Sequence, residues 1–115
     1  MSLRVGEVVI DCAEHGAVVD FWQRALDYER HDVNEQYVAL GPSEREIGQV
    51  PILFQKVPEP KRTKNRVHLD FRSEDMAAEV ERLIGIGASF IAQRSLGQLT
   101  WTVLADPEGN EFCVS

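Results

Sequence analysis

With 115 residues, 43% of them apolar and nine aromatic, the chain has the length and apolar content of one domain with a sizeable core. Its 12 Lys and Arg against 19 Asp and Glu give a formal charge of -7, which repels phosphate backbones and argues against nucleic acid as a partner. No apolar run approaches the roughly 20 residues that span a bilayer, and the start lacks the basic-then-apolar layout of a secretory signal. A cytoplasmic protein with no membrane partner is therefore expected. Cys12 and Cys113 stand at opposite ends of the chain and match no disulfide or zinc-knuckle spacing, so reduced thiols are expected.

From Arg4 to Cys12 the residues alternate, with Val8, Ile10 and Cys12 on one side and Glu7, Val9 and Asp11 on the other, as in a half-buried strand. After Glu14-His15-Gly16, the residues Val18, Phe21, Trp22, Ala25 and Leu26 recur at helical spacing and form one apolar stripe. Short β-rich runs follow at Glu29 to Val33, Tyr37 to Leu40 and Pro51 to Val57, separated by Asn34-Glu35-Gln36 and by a loop opening with Gly41-Pro42. The first half, about 4–57, thus reads as strand, helix, three strands. Residues 58–65 hold two prolines and three basic residues without an apolar pattern, which makes them a connector.

The order then repeats over about 66–115. Val67, Leu69 and Phe71 alternate with His68, Asp70 and Arg72, and Met76, Val80, Leu83 and Ile84 form a second helical stripe ending near Gly85 and Gly87. Ser89 to Gln93, Leu99 to Leu104 and Glu111 to Val114 supply three strands, and Asp106-Pro107-Glu108-Gly109-Asn110 has strong turn chemistry. Overlaying the halves aligns Glu7 with His68 and Glu14 with Asp75, and Asp27 with Gly87 after a slip of one residue. Each half has one helix for one side of a four-stranded sheet, so the two are expected to pair within a single domain.

With the apolar residues under the helices, the opposite face is unusually polar: Glu7, Asp11, Gln55, His68, Asp70, Arg72, Glu111 and Cys113. Two readings stand side by side. The face is either an ordinary solvated side of a one-faced sheet or the lining of a small-molecule pocket. Asp70 and Arg72 are same-face neighbours, read either as an ion pair or as a carboxylate beside an arginine that binds a substrate carboxylate. Trp101, on a late strand, is a candidate aromatic wall for that pocket, and Trp22 belongs to the core stripe.

Three stretches resemble the vicinal oxygen chelate superfamily, which includes glyoxalase I, bleomycin-resistance and fosfomycin-resistance proteins and extradiol dioxygenases. They are Val8-Val9-Ile10-Asp11-Cys12-Ala13-Glu14 leading to Phe21-Trp22, His68-Leu69-Asp70-Phe71 leading to Glu79-Val80-Glu81-Arg82-Leu83, and Asp106-Pro107-Glu108-Gly109-Asn110. More narrowly, the chain is similar to the glyoxalase-like domain subgroup. The resemblance implies an α+β fold of two βαβββ modules forming a curved mixed or antiparallel sheet cup with the helices outside. It also implies modules paired within one chain or exchanged in a homodimer.

In metal-binding members of that superfamily a ligand sits on the first strand of each half and an acidic ligand on the last strand. By that resemblance Glu7 falls where the first-half histidine often sits and His68 on the second-half histidine. Cys113 takes the usual acidic position, with Glu111 two residues earlier, and in the first half the matching residue is Leu53 or Gln55. The chain departs from the metal pattern there. A set of His68, Glu7 and Cys113 would favour zinc over magnesium or calcium, which prefer all-oxygen shells. His68 is read as a ligand, as a general acid or base, or as a pocket histidine held by a carboxylate such as Glu7. Cys113 reads as a buried thiol, with a nucleophilic role needing an adjacent base.

Two functions follow. One is a lyase or isomerase acting on a small carbonyl compound, with His68 and Glu7 catalytic and Asp11, Gln55, Asp70, Arg72, Trp101, Glu111 and Cys113 lining the pocket. The other is a metal-free, ligand-sequestering protein of the bleomycin-resistance type.

Overall fold

The computed structural model describes residues 2–44 and 48–115. In chain order the elements are β1 (Val8–Cys12), α1 (His15–Leu26), β2 (Glu29–Asp32), β3 (Tyr37–Gly41), β4 (Ile52–Lys56), β5 (Leu69–Phe71), α2 (Met76–Gly85), β6 (Ser89–Leu96), β7 (Leu99–Ala105) and β8 (Glu111–Val114). They fall into two compact units, Met1–Pro60 and Lys61–Ser115, each with one helix and one four-stranded mixed sheet. This is an α+β chain of two βαβββ units, and neither sheet closes into a barrel. Among the described residues no helix is long and apolar enough to cross a membrane.

The first unit orders its strands β1-β4-β3-β2, with β1 and β4 parallel and the other neighbours antiparallel. Of the predicted helical stripe, Val18, Phe21 and Trp22 are buried, joined by Val19, while Ala25 and Leu26 are half-buried; Phe21 meets Trp22 edge to face at 5.0 Å. Beneath α1, Cys12, Val38, Leu40, Ile52 and Phe54 are buried, so the alternation in β1, β3 and β4 does select the core face. Asp27 ends α1 in the left-handed region at φ 55, a conformation that aspartate tolerates better than most side chains.

The second unit repeats the order as β5-β8-β7-β6, again with the first pair parallel. Leu104, Phe112 and Val114 are buried, and Phe71 packs edge to face on Phe112 at 5.9 Å. The buried Thr102 hydroxyl meets the Met76 sulfur at the start of α2, which marks this side of β7 as the helix side. The aligned residues Glu14 and Asp75 are both helix N-caps, but only Asp75 accepts a bond from the first turn, from Ala78 N. At the other end Gly87 holds φ 128, which an L side chain rarely adopts.

Three strand ends differ from the sequence expectation by more than one residue. β6 runs on past Gln93 to Leu96, because its ladder with β7 continues to the Leu96↔Leu99 pair and turns at Gly97, φ 62. β1 and β5 start later than their alternation, since the ladders begin at Val8↔Ile52 and Leu69↔Phe112.

Candidate functional site

The second unit's side of the sheet away from α2 carries the densest chemistry. β5 and β8 run in parallel register with Asp70 opposite Cys113, and His68, two residues before Asp70, points to the same side by the strand period. His68 Nε2 lies 3.2 Å from Asp70 Oδ1. The potential ligand atoms of His68, Asp70 and Cys113 all lie within 4.8 Å of one another. Asp70 and His68 are open to solvent, whereas Cys113 is buried. Burial pushes the Cys113 thiol up, and the neighbouring Asp70 carboxylate, to which it hydrogen-bonds, pushes it further; Lys64 opposes the rise without reversing it. The thiol therefore stays protonated near neutrality, the opposite of an activated nucleophile.

Such a cluster suits two kinds of chemistry. Asp70, 3.2 Å from His68 Nε2, is placed to orient the imidazole for proton transfer. Nitrogen, oxygen and sulfur donors on one face also match the ligand preferences of zinc and leave a position open.

Glu111 shares this side but is already engaged. Its carboxylate lies 2.7 Å from Lys61 Nζ and accepts from Asn65 N at 3.1 Å, while Asn65 Nδ2 donates to Asn110 Oδ1 at 2.9 Å. Burial alone would raise the Glu111 carboxyl, but the Lys61 ammonium and the Asn65 amide outweigh it and lower its pKa. Glu111 thus fastens the Lys61 to Asn65 segment to β8. Next to it, Asp106 is 3% exposed, and its side chain accepts from Glu108 N, Asn110 N and Asn110 Nδ2. Gly109 completes that turn at φ 88.

Trp101 is half-buried on β7 opposite Arg94, on the same side as Val103, which pairs with Cys113. Arg72 is exposed just beyond β5, and no ion pair joins it to Asp70 among the described residues; Asp70 faces His68 instead. In the first unit Asp11 and Tyr37 flank Gln55 across neighbouring strands, and Glu7 is exposed one residue before β1. Glu7 and His68 belong to different units. Among the described residues, the first unit has no group of three His, Cys, Asp or Glu side chains close enough to share an ion.

Sequence reasoning offered a carboxylate such as Glu7 as one of three readings of His68, and read Asp70 and Arg72 either as an ion pair or as a carboxylate beside a substrate-binding arginine; the structure sets Asp70 beside His68. The available signal was the i, i+2 spacing of His68 and Asp70 on one strand. The anchoring of Glu111 by Lys61 and Asn65 had no local signal, since the partners are 50 and 46 residues away.

A parallel first-to-last strand pair with a helix crossover, occurring twice in one chain, defines a glyoxalase/bleomycin-resistance/dioxygenase type of fold. The model of the glyoxalase-like domain family matches residues 7–115, and the chain belongs to that family. Among solved structures it is similar to a glyoxalase/bleomycin resistance protein/dioxygenase family enzyme from Burkholderia phytofirmans, with 19% identity, 97% of each chain covered and a TM-score of 0.77. It is similar, too, to the fosfomycin resistance protein FosX from Listeria monocytogenes, solved with Mn(II) and a dihydroxypropylphosphonic acid, at 13% identity over 99% of this chain and 90% of that one, TM-score 0.80. A glyoxalase-related enzyme from Fulvimarina pelagi gives 11% identity, 96% and 86% coverage and a TM-score of 0.70. At these identities the likeness is one of fold. No curated protein matches the chain.

Proposed function

We propose that the chain is a small-molecule-binding, glyoxalase-like lyase or isomerase acting on a small carbonyl compound, with its working site at His68, Asp70 and Cys113. The observation that carries this reading is the convergence of three different donor atoms within 4.8 Å on one side of a sheet. Asp70 Oδ1 holds the His68 ring through Nε2, which leaves Nδ1 as the atom that accepts or returns a proton. The neighbouring Cys113 thiol, kept neutral, adds a donor without adding charge. Glu7 enters as a second proton-handling group through the family resemblance alone.

The trio also fits a divalent metal, and zinc best, because a sulfur donor disfavours magnesium and calcium. His68, Asp70 and Cys113 would hold it. Bound there, it would supply Lewis-acid polarisation of a carbonyl oxygen. A structural neighbour holding Mn(II) and a small organic acid supports such a use of this fold.

A second reading is favoured by one observation. The raised Cys113 pKa makes metal binding compete with a proton, which suits a metal-free sequestering protein. Elemental analysis of unsupplemented protein, joined to thermal-shift assays with zinc, manganese, magnesium and small dicarbonyl compounds, separates the two. Stoichiometric metal lost in His68→Ala supports the metalloenzyme. Ligand-induced stabilisation without metal or turnover supports sequestration. If neither metals nor ligands distinguish His68→Ala from the unaltered chain, the site is wrong.

A further inference from the structure

We propose that Trp101, in a cross-strand row with Arg94 beside it and Arg72 one strand beyond Ser115, forms the anion-recognising end of the same face, so that the ligand is a flat, apolar-bodied carboxylate of the benzoate class. This rests on reading that face as the ligand site and adds the kind of molecule it takes.

Strand register sets the row. Arg94 on β6 is the cross-strand partner of Trp101 on β7. At the other edge, Ser115 N donates to Phe71 O and Ser73 N donates to Ser115 O, the bonding of a parallel pair between Ser115 and Arg72. The β7–β8 ladder ends at Thr102↔Val114, so its next step puts Ser115 beside Trp101. The row therefore reads Arg72, Ser115, Trp101, Arg94. It lies two residues, about 7 Å, along the strands from the row of Asp70, Cys113 and Val103, and on the same side.

Like Arg4, Arg62 and Arg66, the arginines of this row have no carboxylate partner among the described residues, in contrast to those on α1, β2 and α2. Arg24, Arg30 and Arg82 are each held by a nearby carboxylate, Asp20, Asp32 and Glu79. The side chains of Arg72 and Arg94 have neither an ion pair nor a hydrogen bond among the described residues, and the half-buried Trp101 has neither a ring partner nor an acceptor for its indole N–H. Among the described residues no buried side-chain nitrogen or oxygen lacks a partner, so this N–H is open to solvent and to a ligand. Charge agrees with this placement. Residues 1–60 carry five basic and eleven acidic side chains, but residues 61–115 carry seven and eight. Lys64 adds a cation that acts on Cys113.

Guanidinium groups bind carboxylates through paired hydrogen bonds, and an indole beside them offers a flat apolar wall. Asp70 repels an anion at the other end of the face, which turns a carboxylate toward the arginines and the rest of the ligand toward His68.

Calorimetric titration with benzoate, benzamide and inorganic phosphate tests this, with the indole N–H resonance of Trp101 as a local reporter. Benzoate should bind more tightly than benzamide and shift the Trp101 signal. Arg94→Gln and Arg72→Gln should each weaken benzoate about tenfold or more, and in the double variant benzoate and benzamide should bind alike. Trp101→Ala should weaken both aromatic probes. Equal binding of benzoate and benzamide to the unaltered chain overturns the inference, as does benzoate affinity unmoved by the arginine variants. Phosphate binding as tight as benzoate and indifferent to Trp101→Ala also overturns it. Zinc titration of the same proteins is read separately. If benzoate fails but zinc still depends on His68, this inference falls alone; if both fail, the site reading falls with it.

Discussion

α1 buries four residues, Val18, Val19, Phe21 and Trp22, whereas α2 buries Leu83 alone and leaves Ile84 43% exposed. The units share element order, strand order and N-cap position, so this difference is one of filling and not of frame. The opposite sides of the sheets differ in the reverse sense. In the first unit Gln55 lies between Asp11 and Tyr37 with no ion-sized cluster among the described residues; in the second, His68, Asp70 and Cys113 converge. On the proposed function, one copy of a duplicated scaffold would specialise in packing and the other in chemistry, in keeping with functional groups drawn from less tightly packed regions.

Core truncation offers the largest effects with which to break that contrast. Trp22→Ala should cost about 4 kcal/mol and Leu83→Ala about 2 kcal/mol, measured by urea unfolding. Equal losses would remove the packing difference. Asp106→Ala should cost about 2–3 kcal/mol, because it strips acceptors from Glu108 and Asn110 in the turn of the second unit. The caps sharpen the comparison further. Asp75→Ala should cost about 1 kcal/mol, since its side chain satisfies Ala78 N. Glu14→Ala, which removes only an exposed pair with Lys56, should cost about 0.5 kcal/mol or less.

The smallest expected effect is one of pH. The folded Glu111 carboxyl lies below its unfolded value, so its contribution is present above the ordinary carboxylate range and is lost as pH falls through the folded value. Glu111→Gln should therefore flatten the acid side of the stability profile while leaving it parallel near neutrality. An unchanged acid slope would mean that the Lys61 and Asn65 anchorage carries no weight.

Much of the frame was legible because it rests on short-range periodicity. The alternation of Val8, Ile10 and Cys12, the stripe through Phe21 and Trp22, and the overlay of Glu14 on Asp75 each depend on neighbours within a few residues. The polar face was legible for the same reason, since His68, Asp70 and Arg72 share a side by counting. Partner choice was not. Whether Asp70 turns to His68 or to Arg72 depends on side-chain torsions, and the seat of Glu111 depends on Lys61 and Asn65, brought in by the tertiary fold. The continuation of β6 to Leu96 was hidden because Arg94 and Ser95 break the apolar alternation, although the backbone ladder does not need it.

Cobalt(II) titration followed by absorption spectroscopy tests most directly whether the specialised face is a working site. Binding at His68, Asp70 and Cys113 predicts a thiolate-to-cobalt charge-transfer band that saturates at one ion per chain, disappears in Cys113→Ser, weakens in His68→Ala and Asp70→Asn, and is displaced by zinc. Absence of that band, or an identical band in Cys113→Ser, would contradict a metal centre built on this trio.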